Sequence, residues 1–262
     1  MKEDIEIKWD KLSDEADVIV ANPDDKETLR KMGFSLSSSP SKTIDELFQE
    51  RSLSATEISK HFPPLPNNLP PAIQSLYQEI RECIIFGLNG AAITLSGNLV
   101  EFSLKHVTYI KEIGGYQDYD EEKWESFEKI ELAEAIGRAK KTGLLSKEWA
   151  KRLNSFREEI RNPYSHYNIK KITEDAEAEG VKIINLSSGK IVEKNILAKE
   201  DPVVQAQAKP LVDKDLVFPV FNFTDTAIKY FFTELYKHLK RRGEEQASYS
   251  KPNSKKAPIR SR

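Results

Sequence analysis

Apolar residues recur at helical spacing through most of the chain. From residue 71 onward, Ile73, Leu76, Tyr77, Ile80, Cys83, Ile84 and Leu88 follow steps of three and four, which gathers them on one helix face. Pro70-Pro71 suit the first positions of that helix, where a missing N–H costs nothing. Gly87, Asn89 and Gly90 are weak helix formers, so a tight turn is expected there with Asn89 as the next N-cap. A second helix over 90–113 carries Ile93, Leu95, Leu99, Phe102, Leu104 and Ile110, and stops at Gly114-Gly115. A third, over 120–141, buries Trp124, Phe127, Ile130, Leu132, Ala135 and Ile136 and stops at Gly143. Ser146 caps a fourth, whose core face is Trp149, Leu153, Phe156 and Ile160. A last helix over 224–242 shows a wide apolar face, from Ala227 and Ile228 to Tyr236 and Leu239.

The rhythm changes between the fourth and last of these helices. Residues 167–179 read as a helical continuation. The runs 181–186 and 190–197, flanking Ser187-Ser188-Gly189, read as a β-hairpin. Residues 198–217, with Pro202 and Pro210, read as a loop. Before residue 69, short helices are expected over 41–50 and 54–62. Five prolines in the nine residues from Pro63 to Pro71 then make an extended linker. The two short helices have only generic spacing and lie in acidic sequence, which argues against a helix-turn-helix DNA reader. The expected fold is mainly α: an antiparallel helical bundle of four to five core helices with a small β-hairpin insertion. An acidic arm (1–68) precedes a helical domain (69–242, insertion at 167–217), and a disordered basic tail (243–262) follows.

Composition narrows the function classes. The chain has 40 basic and 42 acidic residues, net −2, so there is no whole-protein case for nucleic-acid binding, although a local basic groove is compatible with it. The arm holds 9 basic against 14 acidic residues, and from Lys240 onward 8 basic face 2 acidic. The tail therefore offers an electrostatic grip on RNA or no more than a solvated end. Cys83 is the only cysteine. An intrachain disulfide is impossible, and the chain suits a reducing cytoplasm. The start is too polar for a signal peptide, and the longest apolar run, 83–96, is too short to span a bilayer; no membrane association is expected. There is no HExxH, no cysteine pair and no phosphate-binding glycine motif, so neither a metal nor a cofactor is expected. Asp118, Asp120, Glu121 and Glu122 read as a solvated helix start.

The candidate chemistry lies in Arg157-Glu158-Glu159-Ile160-Arg161-Asn162-Pro163-Tyr164-Ser165-His166. Pro163 cannot continue a regular helix. The expectation is a kink or a restart, with Asn162 as N-cap and His166 in the first turn, where backbone N–H groups favour an anion. The structural alternatives are an Arg161 paired with Glu158 or Glu101, and a histidine that merely packs near a helix break.

Gly143-Leu144-Leu145-Ser146-Lys147-Glu148, the helix after it, and Leu153-Asn154-Ser155-Phe156 running into the stretch above together resemble the HEPN domain. That superfamily's signature is an arginine, four to six residues and a histidine, often with a polar residue directly after the arginine. Here these are Arg161, Asn162 and His166. Leu99-Val100-Glu101-Phe102-Ser103-Leu104-Lys105 is similar to the family's second-helix pattern, with Glu101 as its acidic residue. Asn98 stands where some relatives carry arginine. The resemblance covers roughly 70–166 and the last helix. It implies a small helical bundle that forms a homodimer, with two motifs facing one cleft, and a metal-independent endoribonuclease acting as a toxin or antiviral effector. RNA is then the substrate, and an antitoxin or defence-complex partner would engage the N-terminal arm.

The residue types suit that chemistry. RNA carries its own nucleophile, the 2′-OH. Histidine is the side-chain type that ordinarily exchanges protons near neutral pH, which makes His166 the general base. The guanidinium of Arg161 meets the charge that builds on the phosphate, and Asn162 holds a phosphate oxygen or caps a helix. Glu101, Arg157, Tyr164 and Ser165 are auxiliary candidates. The products would be a 2′,3′-cyclic phosphate and a 5′-hydroxyl. Two other readings remain: a non-catalytic HEPN scaffold that binds RNA or a protein, and the partner of a nucleotidyltransferase, with Tyr164 modified.

Overall fold

The computed structural model describes residues 43–66, 68–185 and 190–249. The protein is mainly helical, with one two-stranded antiparallel sheet among the described residues. In chain order the elements are α1 (Ile44–Ser59), α2 (Pro71–Ile85), α3 (Asn89–Ile113), α4 (Glu121–Lys129), α5 (Leu132–Lys141) and α6 (Lys147–Phe156). A π-helical turn (Arg157–Arg161) leads into the short helices α7 (Asn162–Ser165) and α8 (Ile169–Ile172). Strands β1 (Glu177–Asn185) and β2 (Lys190–Leu197) and the long α9 (Pro202–Tyr249) complete the described elements. Most of the acidic arm and the last part of the basic tail lie outside the described residues. Among those described, no helix is long and apolar enough to cross a membrane.

Backbone packing divides the chain into two units. The first holds Met1–Phe62, Glu79–Thr94 and Asn162–Pro219; the second holds Pro63–Gln78, Leu95–Arg161 and Val220–Arg262.

The second unit has an aromatic core. Tyr77, Tyr109, Phe127, Phe221 and Phe231 are fully buried. Tyr109 meets Trp124 at 5.1 Å and Phe127 at 5.6 Å between ring centroids, both edge to face. Trp149 stacks on Tyr230 at 4.5 Å and Phe156 on Phe223 at 4.6 Å. These are the favoured ring geometries, and they tie α6 to the later part of α9. Ser146 caps α6 as its sequence predicts, its hydroxyl accepting from the Trp149 N–H at 3.1 Å. The helix expected over 120–141 is instead two helices. Ile130 and Glu131 are extended, with ψ of 150° and 160°, which breaks the run that apolar spacing alone made continuous. One polar device is partly buried here. The Tyr77 hydroxyl donates to Asp225 Oδ1 at 2.8 Å, and Lys229 Nζ meets Asp225 Oδ2 at 2.7 Å.

The first unit is built differently. Its N-terminal helix α1 is one continuous element, not two. Thr43 and Glu46 form a capping box at its start, which satisfies two orphan N–H groups at once. The hairpin forms, with Ile183 opposite Val192 and a bulge between Ala178 and Val181; β1 begins at Glu177, inside the stretch expected to continue as helix. Val181 and Ile196 close a small apolar cluster with Ala198 and Val204. Residues 198–217 are not a loop. After a short 3-10 turn, Asp201 caps α9, its Oδ1 accepting from the N–H groups of Val203 (2.8 Å) and Val204 (3.1 Å). Pro202 takes the first helical position, a placement that suits it. Pro210 and Pro219 lie inside α9. Each removes a helix hydrogen bond. Both prolines, and the residues four before them, Ala206 and Asp215, are exposed, so water can take the released carbonyls. The same helix runs on to Tyr249, past the expected start of a disordered tail at 243.

Tyr77→Phe removes the hydroxyl that Asp225 accepts from within the core. A hydrogen bond to a charged group is worth roughly 1.5–3 kcal/mol, so the variant should unfold at lower denaturant with an unchanged m-value. Urea titration followed by circular dichroism checks this.

Candidate functional site

Pro163 shapes the motif. In a regular helix its ring would be driven against the Glu159 carbonyl. Here α6 widens into a π-helical turn over Arg157–Arg161, one residue before the proline, and regular geometry resumes at Asn162. The extra residue in a π turn shifts the preceding carbonyls around the axis. The helix therefore neither breaks nor restarts. Asn162 is a helical, half-buried residue and not an N-cap.

His166 consequently sits at the opposite helix end from the one expected. The Asn168 N–H donates to the Pro163 carbonyl at 2.8 Å, and the Tyr167 N–H donates to the Tyr164 carbonyl at 3.3 Å. Tyr167 has φ 49°. This is a Schellman stop with His166 as the C-cap and Tyr167 at the left-handed position. A helix C-terminus presents carbonyls, so the anion-binding argument for a helix start does not hold here. The His166 side chain is exposed, as is Ser165.

Arg161 belongs to the second unit and is anchored. Its Nε donates to Glu101 Oε2 at 2.9 Å, and a terminal guanidinium nitrogen lies 2.8 Å from the same oxygen. Lys105 takes the other carboxylate oxygen at 2.8 Å and also donates to the Glu128 carbonyl at 3.1 Å. The three side chains are largely covered, with Lys105 11%, Glu101 13% and Arg161 24% exposed. Gly97, one turn before Glu101 on α3, makes room for Arg161: a Cβ there would stand 3.2 Å from the Arg161 Cγ. Lys105 was absent from the sequence-based site. The signal for it is the i, i+4 spacing from Glu101 with the acid N-terminal, the stronger orientation of such a pair.

The other auxiliary candidates are directed elsewhere. Arg157 pairs with its neighbour Glu158 at 2.6 Å. In the first unit Tyr164 is buried, and its hydroxyl donates to Asp213 Oδ1 at 2.7 Å. Burial and the Asp213 carboxylate push its hydroxyl far above the ordinary tyrosine range. Lys209 pairs with Asp213 at 2.5 Å and lies 4.8 Å from the Tyr164 ring and 5.4 Å from the Tyr167 ring. This lysine–aspartate–tyrosine network is satisfied from within, and it gives Tyr164 a packing role. It escaped sequence reading because both α9 partners fell in the presumed loop. Among the described residues no cluster of His, Cys, Asp or Glu can hold a metal ion. Comparisons with family models, with curated proteins and with solved structures find no match for this chain.

His106 is the other notable titratable group. It stands among the rings of Phe102, Tyr116, Trp124 and Phe232, at 5.9–6.3 Å between centroids. Its Nε2 is buried and has no hydrogen-bond partner among the described residues. Burial lowers its pKa below the ordinary 6.5, because the rings cannot solvate an imidazolium.

Two outcomes follow. The unfolded chain binds a proton at His106 more readily than the folded one, so the His106 contribution to stability is complete above pH 6.5. It falls as the pH drops below that value. Melting temperatures at pH 7.5 and 5.5 should therefore differ more for the wild type than for His106→Leu. Glu101→Gln leaves Lys105 and Arg161 without their shared charge; unfolding in urea should show a loss of about 1–3 kcal/mol.

Proposed function

We propose that the protein is a metal-independent endoribonuclease of HEPN type. Its helices then correspond to the bundle of four to five core helices of that superfamily, and two copies pair to bring two motifs to one cleft. The observation that carries this reading is the π-helical turn at Arg157–Arg161, whose last residue is the carboxylate-anchored arginine of the motif; His166 is exposed. Departures from regular helix of this kind occur frequently at functional sites. His166 takes the proton from the ribose 2′-OH, and Arg161 neutralises charge developing on the phosphate. Asn162 follows the arginine as the polar residue of the signature. A toxin or antiviral role, and an antitoxin or defence-complex partner, come from the resemblance.

A second reading has its own support. Arg161 already has a carboxylate partner, and a guanidinium held in an ion pair is a poorer phosphate ligand than one held by neutral groups. A scaffold that binds RNA or a protein without cutting is consistent with that. The third reading, a chain modified at Tyr164 by a nucleotidyltransferase, loses ground because the Tyr164 hydroxyl is buried against Asp213.

Cleavage of a labelled single-stranded RNA in EDTA separates the first two. The wild type should release products ending in 2′,3′-cyclic phosphate, whereas Arg161→Ala and His166→Ala should each fall at least a hundredfold, the usual scale for a lost acid–base group. Equal cleavage by all three proteins, or none by any, rejects the nuclease.

A further inference from the structure

The Glu101 ion cluster is one side of a cavity of about 310 Å³ within the second unit. Four residues of α3 line it at helical spacing, namely Asn98, Glu101, Phe102 and Lys105; Trp124 enters from α4 and Arg161 from the π turn. Phe102 and Trp124 are half-buried and meet edge to face at 6.5 Å, so the cavity has an aromatic wall. Opposite in character are the two cations, which share the single Glu101 carboxylate and leave the three groups with one surplus positive charge. Asn98 is exposed and carries both an amide donor and an amide acceptor. The exposed Glu128 carboxylate stands at the rim, so the lining as a whole carries two positive and two negative groups.

A ligand for this cavity must satisfy all of these features. A purely apolar guest would desolvate the ion cluster without compensation. A bare anion would leave the aromatic wall unused, and the balanced charge of the lining gives it little hold. A planar ring with a polar edge and an attached monoanionic group uses every part. The ring lies on the aromatic wall, its edge bonds to the Asn98 amide, and the anion faces Lys105 and Arg161. The volume is at the lower end for small-molecule sites, which suits one such unit.

We propose that this cavity holds one unstacked nucleotide of single-stranded RNA. The base rests against Phe102 and Trp124, and the phosphate lies toward Lys105 and Arg161. Single-stranded RNA is recognised in this way elsewhere, by aromatic stacking combined with contacts to the base edge. The proposal rests on the ribonuclease reading and names the part of the substrate that is held beside Arg161.

Calorimetric titration of the wild type and of His166→Ala with AMP, GMP, CMP and UMP tests it, with ribose 5-phosphate and inorganic phosphate as arms that lack the base. At least one nucleotide should bind tenfold or more tightly than ribose 5-phosphate, and equally to both proteins. Phe102→Leu should weaken that binding at least fivefold. Asn98→Phe, at an exposed position that leaves the core intact, should do the same by filling the mouth. The cavity assignment is overturned if no nucleotide binds, if ribose 5-phosphate binds as well, or if neither variant changes the affinity. Mononucleotides contain no scissile linkage, so the two readings fail separately. Nucleotide binding without RNA cleavage keeps the cavity and rejects the nuclease; cleavage without nucleotide binding rejects the cavity alone.

Discussion

A helix that must continue through a proline governs this structure. Pro163 can neither donate a hydrogen bond nor tolerate the carbonyl of a regular turn before it. The chain responds by widening over five residues rather than by breaking. Arg161 is the last of those five, so its placement on α3 against Glu101 is set by an accommodation made for a residue two positions later. The small residue at position 97 is the matching concession on α3, where a side chain would crowd the arginine.

The two units handle buried charge by the same means. Glu101 with Lys105, Lys209 with Asp213 and Asp225 with Lys229 are all spaced four apart on one helix. In each case the carboxylate also takes a donor from another element: Arg161, Tyr164 or Tyr77. A helical ion pair at the surface contributes only a few tenths of a kcal/mol. With its carboxylate covered and given a third partner, although Lys229 itself is 42% exposed, such a pair becomes costly to disturb, because removing one member strands the others. These triads fix the relative placement of elements within a unit more sharply than apolar contact does, since hydrogen bonds are directional and the hydrophobic effect is not.

Much of the architecture was legible from apolar spacing and stop signals. The helices beginning near Pro71, Asn89 and Lys147 and the hairpin around the segment 186–189 lie where pattern and turn chemistry put them. Proline misled in both directions. Pro202 and Pro210 suggested a loop, although Asp201-Pro202 is itself a helix-start signal and exposed prolines can be carried inside a long helix. Pro163 suggested a kink or a restart, and the outcome was a wide turn, which no local propensity announces. Of the site residues, the Glu101–Arg161 pairing was among the alternatives raised by the sequence. Lys105 and the Tyr164–Asp213–Lys209 network were not, because each depends on which helix faces lie together.

The helix ending at Ser165 differs from α2 and α5 in how it stops. After α2 and after α5, glycine occupies the left-handed position, with φ of 67° at Gly87 and 69° at Gly143. After α7 a tyrosine does so, at a cost of roughly 1–2 kcal/mol that glycine would not incur. Natural sequences tend to keep local preference and global fold in agreement, and their exceptions gather where something other than stability is being selected. Position 167 is such an exception. It retains an exposed ring beside Lys209 and directly after His166, where foldability alone would have chosen the smallest residue.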